Sequence, residues 1–215
     1  MSLLGRLRAA LGRDDASLLA RARGDVRMGL GLNPPACLAP LNRAIAALER
    51  LPNTPEVALL LGRALRAKAQ ALTGKPARIL RARSVAKLRA MIEQPRISVP
   101  ERAALWAALA QAWLPLPEDA TDPDRSYRQL LRAEEAQTEA LVIPSAATHL
   151  AMAEILLALC RSPLCPDAHR RALSLRQYLL AARALAPDAD ERHTADILES
   201  DVLQLFPGLA AGDAP

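Results

Sequence analysis

The sequence predicts an all-α protein of stacked antiparallel helix hairpins, an α-solenoid with a C-terminal capping helix. Half of the residues are apolar, but aromatic residues make up only 2% of the chain, so Leu and Ala supply most of the core. Leu, Ala, Arg and Glu lose little side-chain freedom in a helix, whereas strands enrich β-branched and aromatic residues. Prolines that recur at a near-constant interval divide the chain into repeated units.

Four prolines begin similar phrases, each followed by acidic or small residues and then by apolar ones. Pro55, Pro100, Pro144 and Pro187 are separated by 45, 44 and 43 residues. Proline is pre-organised for the first helical position, and an acidic neighbour suits the positive end of the helix dipole. The spacing therefore predicts helical repeats of about 44 residues, each beginning at its proline.

Each repeat also contains an internal break. Residues 74–76, 115–123 and 162–166 carry the Gly, Pro and polar residues that interrupt helices, and Asp122 is a predicted N-cap. The predicted hairpins are 56–73 with 77–94, 102–114 with 124–142, and 146–161 with 167–186, followed by a capping helix over 190–205.

The predicted organisation has three parts. Residues 1–33 form an N-terminal amphipathic helix and loop segment, in which two short helices precede a loop at Gly24, Gly29 and Gly31. Residues 207–215 form a flexible tail. Between them, residues 34–206 form the helical-repeat domain, with units over 55–99, 100–143 and 144–186 and a cap over 187–206.

Three phrases carry a resemblance to a known family. Residues 106–113 read Trp-x-x-Leu-Ala-x-x-Trp, residues 58–65 read Ala-x-x-Leu-Gly-x-x-Leu, and residues 178–190 read as a helix end, a proline and a new start. In this the chain resembles the tetratricopeptide (TPR) family and its TPR-like relatives, with degenerate repeats. The resemblance implies a concave surface, lined by the first helix of each unit, that holds a partner's peptide or helix.

Charge is distributed unevenly along the chain. Residues 1–92 carry 17 Lys and Arg against 5 Asp and Glu, whereas residues 93–215 carry 11 against 18. The segment 57–92 has nine basic residues and no acidic one. Such asymmetry is an argument about partners. A solvated surface without a binding role is one interpretation of this segment, and among binding partners an acidic protein surface is favoured. The alternative is a nucleic-acid-associated protein that uses residues 57–92, although this segment lacks aromatic residues on which bases could stack.

The candidate partner-binding residues follow from the charge and the resemblance. Trp106 and Trp113 share one helical face, and inter-helix packing is the favoured interpretation of that pair over a peptide anchor. The predicted contacts are Arg63, Arg66, Arg78, Arg81, Arg89, Trp113 and Tyr127.

The predicted function is a non-enzymatic adaptor or scaffold without a cofactor. The sequence has no phosphate-binding loop, no nucleophile elbow and no His-Glu-x-x-His motif. A further alternative is a small metal-binding or enzymatic protein at the third hairpin, because thiolates and imidazoles are zinc ligands. Its candidate ligands are His149, Cys160, Cys165 and His169.

Cysteine usage and the N-terminal segment bear on location. Three unevenly spaced cysteines favour a reducing compartment, so a cytoplasmic location is expected. Residues 2–13 combine Leu and Arg, which suits either the first helix of the stack or contact with a membrane or a protein shell. The oligomeric state is not indicated by the sequence.

Overall fold

The computed structural model describes the backbone of residues 3–211 and the side chains of residues 14–209. Across the described backbone all regular secondary structure is helical, in nine α-helices and two short 3-10 helices without a strand. The chain divides into two compact units, Met1–Ile97 and Ser98–Pro215. The predicted all-α class is confirmed, and in each unit the helices pack as consecutive hairpins.

The first unit holds two hairpins. Helix α1 packs on α2, α3 packs on α4, and α2 and α1 both contact α3. The helices are α1 Leu3–Gly31, α2 Leu38–Leu48, α3 Pro55–Gln70 and α4 Gly74–Ile92.

The second unit holds two further hairpins and a last helix. Helix α7 contacts α6, α8 and α9, and it is buried on several of its faces. The helices are α5 Val99–Trp113, α6 Pro123–Ala140, α7 Ala146–Cys160, α8 Ala168–Leu185 and α9 Ala189–Leu205, with 3-10 helices over Pro117–Thr121 and Pro207–Ala211.

The prolines mark helix starts, but not always at the first helical position. Helix α3 begins at Pro55, as predicted. Pro144 and Pro187 instead precede the N-cap residues Ser145 and Asp188, whose side chains accept the backbone N–H three residues later at 3.1 and 3.0 Å. These side chains satisfy donors that the first turn leaves without intrahelical partners, so the cap residue rather than the proline fixes the start.

Helix α1 runs without interruption to Gly31, so the prediction of two short helices and a glycine loop is wrong. Ala22 and Val26 are buried on its inner face. At Gly29 a Cβ atom would lie 2.6 Å from the side chain of Leu41, so this glycine lets α2 approach α1 closely. The glycine serves packing rather than a break.

The turn between α3 and α4 lies three residues earlier than predicted. The chain turns over residues 71–73, and α4 begins at Gly74 with φ of +70°, a conformation that glycine adopts without strain. Pro76 then falls in the first turn of α4, where its missing N–H leaves no hydrogen bond unmade. The residues read as a break are therefore the start of a helix.

The segment after α9 was predicted to be a flexible tail, but as far as residue 211 it is ordered as a short helix. The 3-10 helix over Pro207–Ala211 contacts α9. Leu209 is 1% exposed, and its carbonyl accepts a hydrogen bond from Nη1 of Arg176 at 3.0 Å. One apolar side chain and one charge-assisted hydrogen bond thus hold this segment on the second unit.

Small residues allow α3 and α4 to pack at a short distance. A Cβ atom on Gly62 would lie 2.8 Å from the side chain of Leu88, which is fully buried. Beside it, the buried hydroxyl of Ser84 donates to the carbonyl of Gly62 at 2.8 Å. The contact explains why the sequence has a Leu-Gly pair here, and it fixes which face of α4 points away from α3.

Candidate functional site

The outward face of α4 carries a stripe of small and apolar residues. Ile79, Ala82, Ala86 and Ala90 are all exposed, and their spacings of three, four and four residues place them on one side of the helix. The opposite side carries the buried residues of this helix, among them Leu88. We refer to these four exposed residues as the α4 stripe.

Basic residues border the α4 stripe on both sides. Arg83 and Lys87 follow one edge, whereas Arg78 and Arg89 follow the other, and all four are exposed. Arg83 forms an ion pair with Glu49 at the end of α2. The four basic residues therefore form two rows along α4, with the apolar α4 stripe between them.

An apolar cleft lies where α3 ends and α4 begins. Its volume is about 360 Å³, and Ile79, which contributes to its wall, is 52% exposed. The remaining wall is apolar apart from two lysine side chains. We refer to it as the α3–α4 cleft, and it is lined by Lys68, Leu72, Lys75, Pro76, Ile79 and Leu80.

The first unit has a large surplus of positive charge. Residues 1–97 carry 18 Lys and Arg against 6 Asp and Glu. At least three of these acids pair within the described part of the unit, in the ion pairs Arg23–Glu56, Arg43–Asp25 and Arg83–Glu49. Because acids are so few, most of the cationic charge of this unit is not balanced inside it.

Four of the predicted contact arginines lie on accessible surface of the first unit. Arg63 on α3 and Arg78 and Arg89 on α4 are exposed, and Arg81 is half-buried. Arg66 is different, since only 6% of it is exposed. The prediction that Arg66 contacts a partner is therefore wrong for this structure.

Arg66 is buried because of its place on α3. It lies four residues after Gly62 and three before Ala69, on a face that is buried along its length. The long aliphatic part of an arginine packs well along such apolar surface. An arginine at a core-facing position is thus part of the packing of the first unit.

The other two predicted contacts, Trp113 and Tyr127, lie in the second unit. Both are half-buried. The guanidinium carbon of Arg132 lies 4.7 Å from the centre of the Trp113 ring, a cation–π contact between α6 and α5. Burial, together with the nearby thiol of Cys165, raises the pKa of Tyr127. The predicted contact set is therefore divided between the two units.

Most of α7 is buried under its neighbours α6, α8 and α9, including Leu150, Met152, Ile155 and Leu156. Its exposed residues, Ala147 and Glu154, lie seven positions apart and so on one side of the helix. This first helix therefore has only a narrow face with which to line the groove that the resemblance implies.

A polar cavity of about 290 Å³ lies in the second unit, among α6, α7 and α8. At its edge, Arg171 of α8 forms an ion pair with Glu134 of α6 and donates through Nε to Asp167 at 3.0 Å. The bond from Arg171 lowers the pKa of Asp167. Burial opposes the charge on Arg171, but its hydrogen bonds with the two carboxylates outweigh burial and raise its pKa. The arrangement joins two helices that do not follow each other in the chain.

The two candidate thiol ligands of the third hairpin have hydrogen-bond partners in the protein. The Cys160 thiol donates to the carbonyl of Ala168 at 3.3 Å, and the Cys165 thiol donates to a carboxylate oxygen of Asp167 at 3.5 Å. Burial raises the pKa of Cys160 to about 11. Burial thus disfavours the Cys160 thiolate, which is the form that binds a metal ion.

The two candidate histidines point elsewhere. Nδ1 of His149 donates to the carbonyl of Ser145 at 2.8 Å, and its ring lies 5.9 Å from that of Tyr178. The His169 ring lies 6.3 Å from Phe206. Among the side chains that the structure describes, no three His, Cys, Asp or Glu residues are grouped as metal ligands would be. The structure does not assemble the predicted set.

The proposed membrane or shell contact of residues 2–13 lies outside the described side chains and stays a prediction. Over the described helices, none is both long and apolar enough to cross a membrane.

Two features of the structure were not predicted from the sequence. The α4 stripe could have been predicted, because three alanines and one isoleucine recur at helical spacing between basic residues. The ion pair of Arg171 with Glu134 could not have been predicted, since 37 positions separate the two residues and only the packing of α6 and α8 on α7 brings them together.

Comparison with known proteins finds no matching family model, no matching curated protein and no matching solved structure. The resemblance to tetratricopeptide proteins therefore stays a prediction.

Proposed function

We propose that the protein is a non-enzymatic adaptor whose first unit binds an acidic protein surface. The observation that carries this proposal is the charge of that unit, 18 basic against 6 acidic residues, together with the two exposed basic rows on α4. A field of one sign speeds the encounter with a partner of the opposite sign and disfavours partners of the same sign. The strength of such binding falls as salt screens the charges.

Nucleic acid is the competing partner, and the geometry of α4 argues for protein. The basic rows are separated by the apolar α4 stripe, for which a phosphate backbone offers no apolar counterpart. Single strands bind through aromatic stacking, and residues 57–92 contain no aromatic residue. An acidic protein surface can supply both carboxylates for the rows and apolar side chains for the stripe.

The test compares two pairs of charge reversals in the full chain. The α4 pair is Arg83→Glu with Lys87→Glu, and the control pair, Arg27→Glu with Arg50→Glu, changes the net charge equally at other exposed positions of the first unit. Fluorescence anisotropy measures binding of labelled poly-glutamate and of random-sequence duplex DNA at several salt concentrations.

The α4 pair is expected to weaken poly-glutamate binding by at least about tenfold, and the control pair by less. Equal losses from both pairs would show attraction to net charge alone and overturn the proposal. Tighter binding to duplex DNA than to poly-glutamate, lost with the same α4 pair, would assign the surface to nucleic acid instead.

A further inference from the structure

The α3–α4 cleft presents apolar surface that packing within the first unit does not cover. Ile79 is 52% exposed at its wall, Pro76 is exposed and Leu72 is half-buried, whereas Leu80 at the base is buried. Burying a side chain of this kind is favourable by roughly 25 cal/mol for each Å² removed from water. The cleft is open to solvent, and its volume of about 360 Å³ is large enough for an apolar side chain to lie against Ile79. Its occupant therefore carries an apolar anchor.

The α4 stripe extends from this cleft along the helix. Ala82, Ala86 and Ala90 have only methyl side chains, so another helix can approach closely here, as α3 approaches α4 at Gly62 on the inner side. Helices pack through residues three and four apart. The stripe has this spacing from Ile79 to Ala90 of α4, and a helix in a groove contacts its receptor through anchors of the same periodicity.

The basic rows then define the flanks of the occupant. Arg83 and Lys87 lie on one side of the stripe, and Arg78 and Arg89 lie on the other. A helix seated on the stripe places its own flanking residues opposite both rows, as the charged positions beside a coiled-coil seam do. Acidic residues on both sides of an apolar seam are the matching pattern.

A second copy of this chain does not supply that pattern from its acidic last helix. Asp196 and Glu199 of α9 accept hydrogen bonds from Arg183, and Asp201 pairs with Arg161. These carboxylates already serve the second unit. The last helix of a second copy is therefore a poorer match than a helix whose carboxylates are not already paired.

We infer that the α3–α4 cleft and the α4 stripe together seat an amphipathic helix of an acidic partner. One large apolar side chain of that helix enters the cleft, a seam of small apolar residues lies on the stripe, and carboxylates face both basic rows. The inference rests on the proposed function and names the form of the acidic partner.

The experiment uses three acidic peptides of about 20 residues, long enough to form a helix. The seam peptide has Leu and Ala on one helical face and Glu on both flanks. The shuffled peptide has the same composition without a face, and the third is poly-glutamate. Anisotropy measures binding to the full chain, and circular dichroism measures the helix content of the bound peptide.

Two substitutions test the two apolar parts, each with a matched control. Ile79→Ser removes the apolar wall of the cleft, and Met28→Ser makes the same kind of change at an equally exposed residue of α1. Ala86→Trp places bulk on the stripe, and Ala46→Trp does so on the exposed side of α2. All four positions lie in the first unit.

The seam peptide is expected to bind at least about tenfold tighter than the shuffled one and to become helical. Ile79→Ser and Ala86→Trp weaken it by about tenfold, whereas both controls and the binding of poly-glutamate stay unchanged. Equal binding of all three peptides, insensitive to Ile79→Ser, overturns the helix inference and leaves the acidic partner in place. Absence of binding by every acidic peptide overturns the proposed function as well.

Discussion

The two units differ in how much of their arginine charge carboxylates within the unit can balance. In the second unit, Arg161, Arg171 and Arg183 each bond to carboxylates of another helix, so their charge is balanced inside the unit. In the first unit acids are few, and basic rows face outward along α4. Its helices are joined by the close contacts at Gly29 and Gly62 and by the ion pairs of Arg23, Arg43 and Arg83.

The comparison shows that the role of an arginine depends on the acids within its reach. A guanidinium group with two carboxylates beside it fixes helix against helix, since its planar donors match carboxylates well. Where basic residues outnumber acidic ones threefold, as in the first unit, the surplus charge of the unit attracts molecules of opposite sign. Stability is therefore expected to depend on side-chain packing in the first unit and also on ion pairs in the second.

The largest effect is expected from Leu88, which holds α4 against α3. Leu88→Ala removes a fully buried side chain and leaves a cavity beside Gly62, so the free energy of unfolding should fall by about 2–5 kcal/mol. Urea unfolding followed by circular dichroism measures the change. A loss below about 1 kcal/mol would mean that the α3–α4 contact is not close-packed.

A second substitution at the same contact checks its cause. Gly62→Ala alone places a methyl group against Leu88 and is expected to destabilise, although alanine favours the helix by up to about 1 kcal/mol. In the Leu88→Ala background the space is open, so Gly62→Ala should become neutral or stabilising. Additive effects of the two substitutions would contradict the close approach.

An intermediate effect is expected from Arg171, and it tests the comparison directly. Arg171→Leu leaves Glu134 and Asp167 without their shared partner and should lower the free energy of unfolding by about 1–3 kcal/mol. Arg63→Leu, an exposed arginine of the first unit, should change it by less than about 0.5 kcal/mol. Similar losses from both would remove the distinction between the units.

The pH dependence of the Arg171→Leu effect identifies the ion pair as its cause. Arg171 holds the pKa of Asp167 below its ordinary value, so the pair contributes stability above about pH 4 and loses it as the pH falls further. The difference between the native chain and the variant should therefore shrink from pH 6 to about pH 3. A difference that does not change with pH would point to lost packing of the arginine stem.

Much of the fold was predictable from short-range sequence patterns. Helix starts and the hairpin pairing were predictable because caps, prolines and apolar spacing act over a few residues. The glycines were misread, since Gly24 and Gly29 lie inside α1 and Gly29 marks a close contact with a helix that follows later. Whether a glycine breaks a helix or admits a neighbour depends on tertiary packing, which one sequence does not display.

The positive charge of the candidate site was predictable from the sequence, but which of its residues are exposed was not. The basic segment 57–92 is evident from composition, yet the burial of Arg66 and the exposure of Ile79 depend on which faces of α3 and α4 meet. The contact at Gly62 fixes that choice. The cleft arises only where the end of α3 and the start of α4 are brought together.

The smallest effect that we expect is a response of stability to salt, with opposite signs in the two units. Raising the ionic strength from about 0.1 to 1 M shortens the screening length from about 10 to 3 Å. Screening relieves repulsion among the basic residues of α4 but weakens the pairs around α8. Amide hydrogen exchange should therefore slow in α4 and quicken in α8, each by some tenths of a kcal/mol. Arg171→Leu should reduce the response of α8 alone, whereas equal slowing in both helices would indicate a general effect of salt on apolar burial rather than two uses of charge.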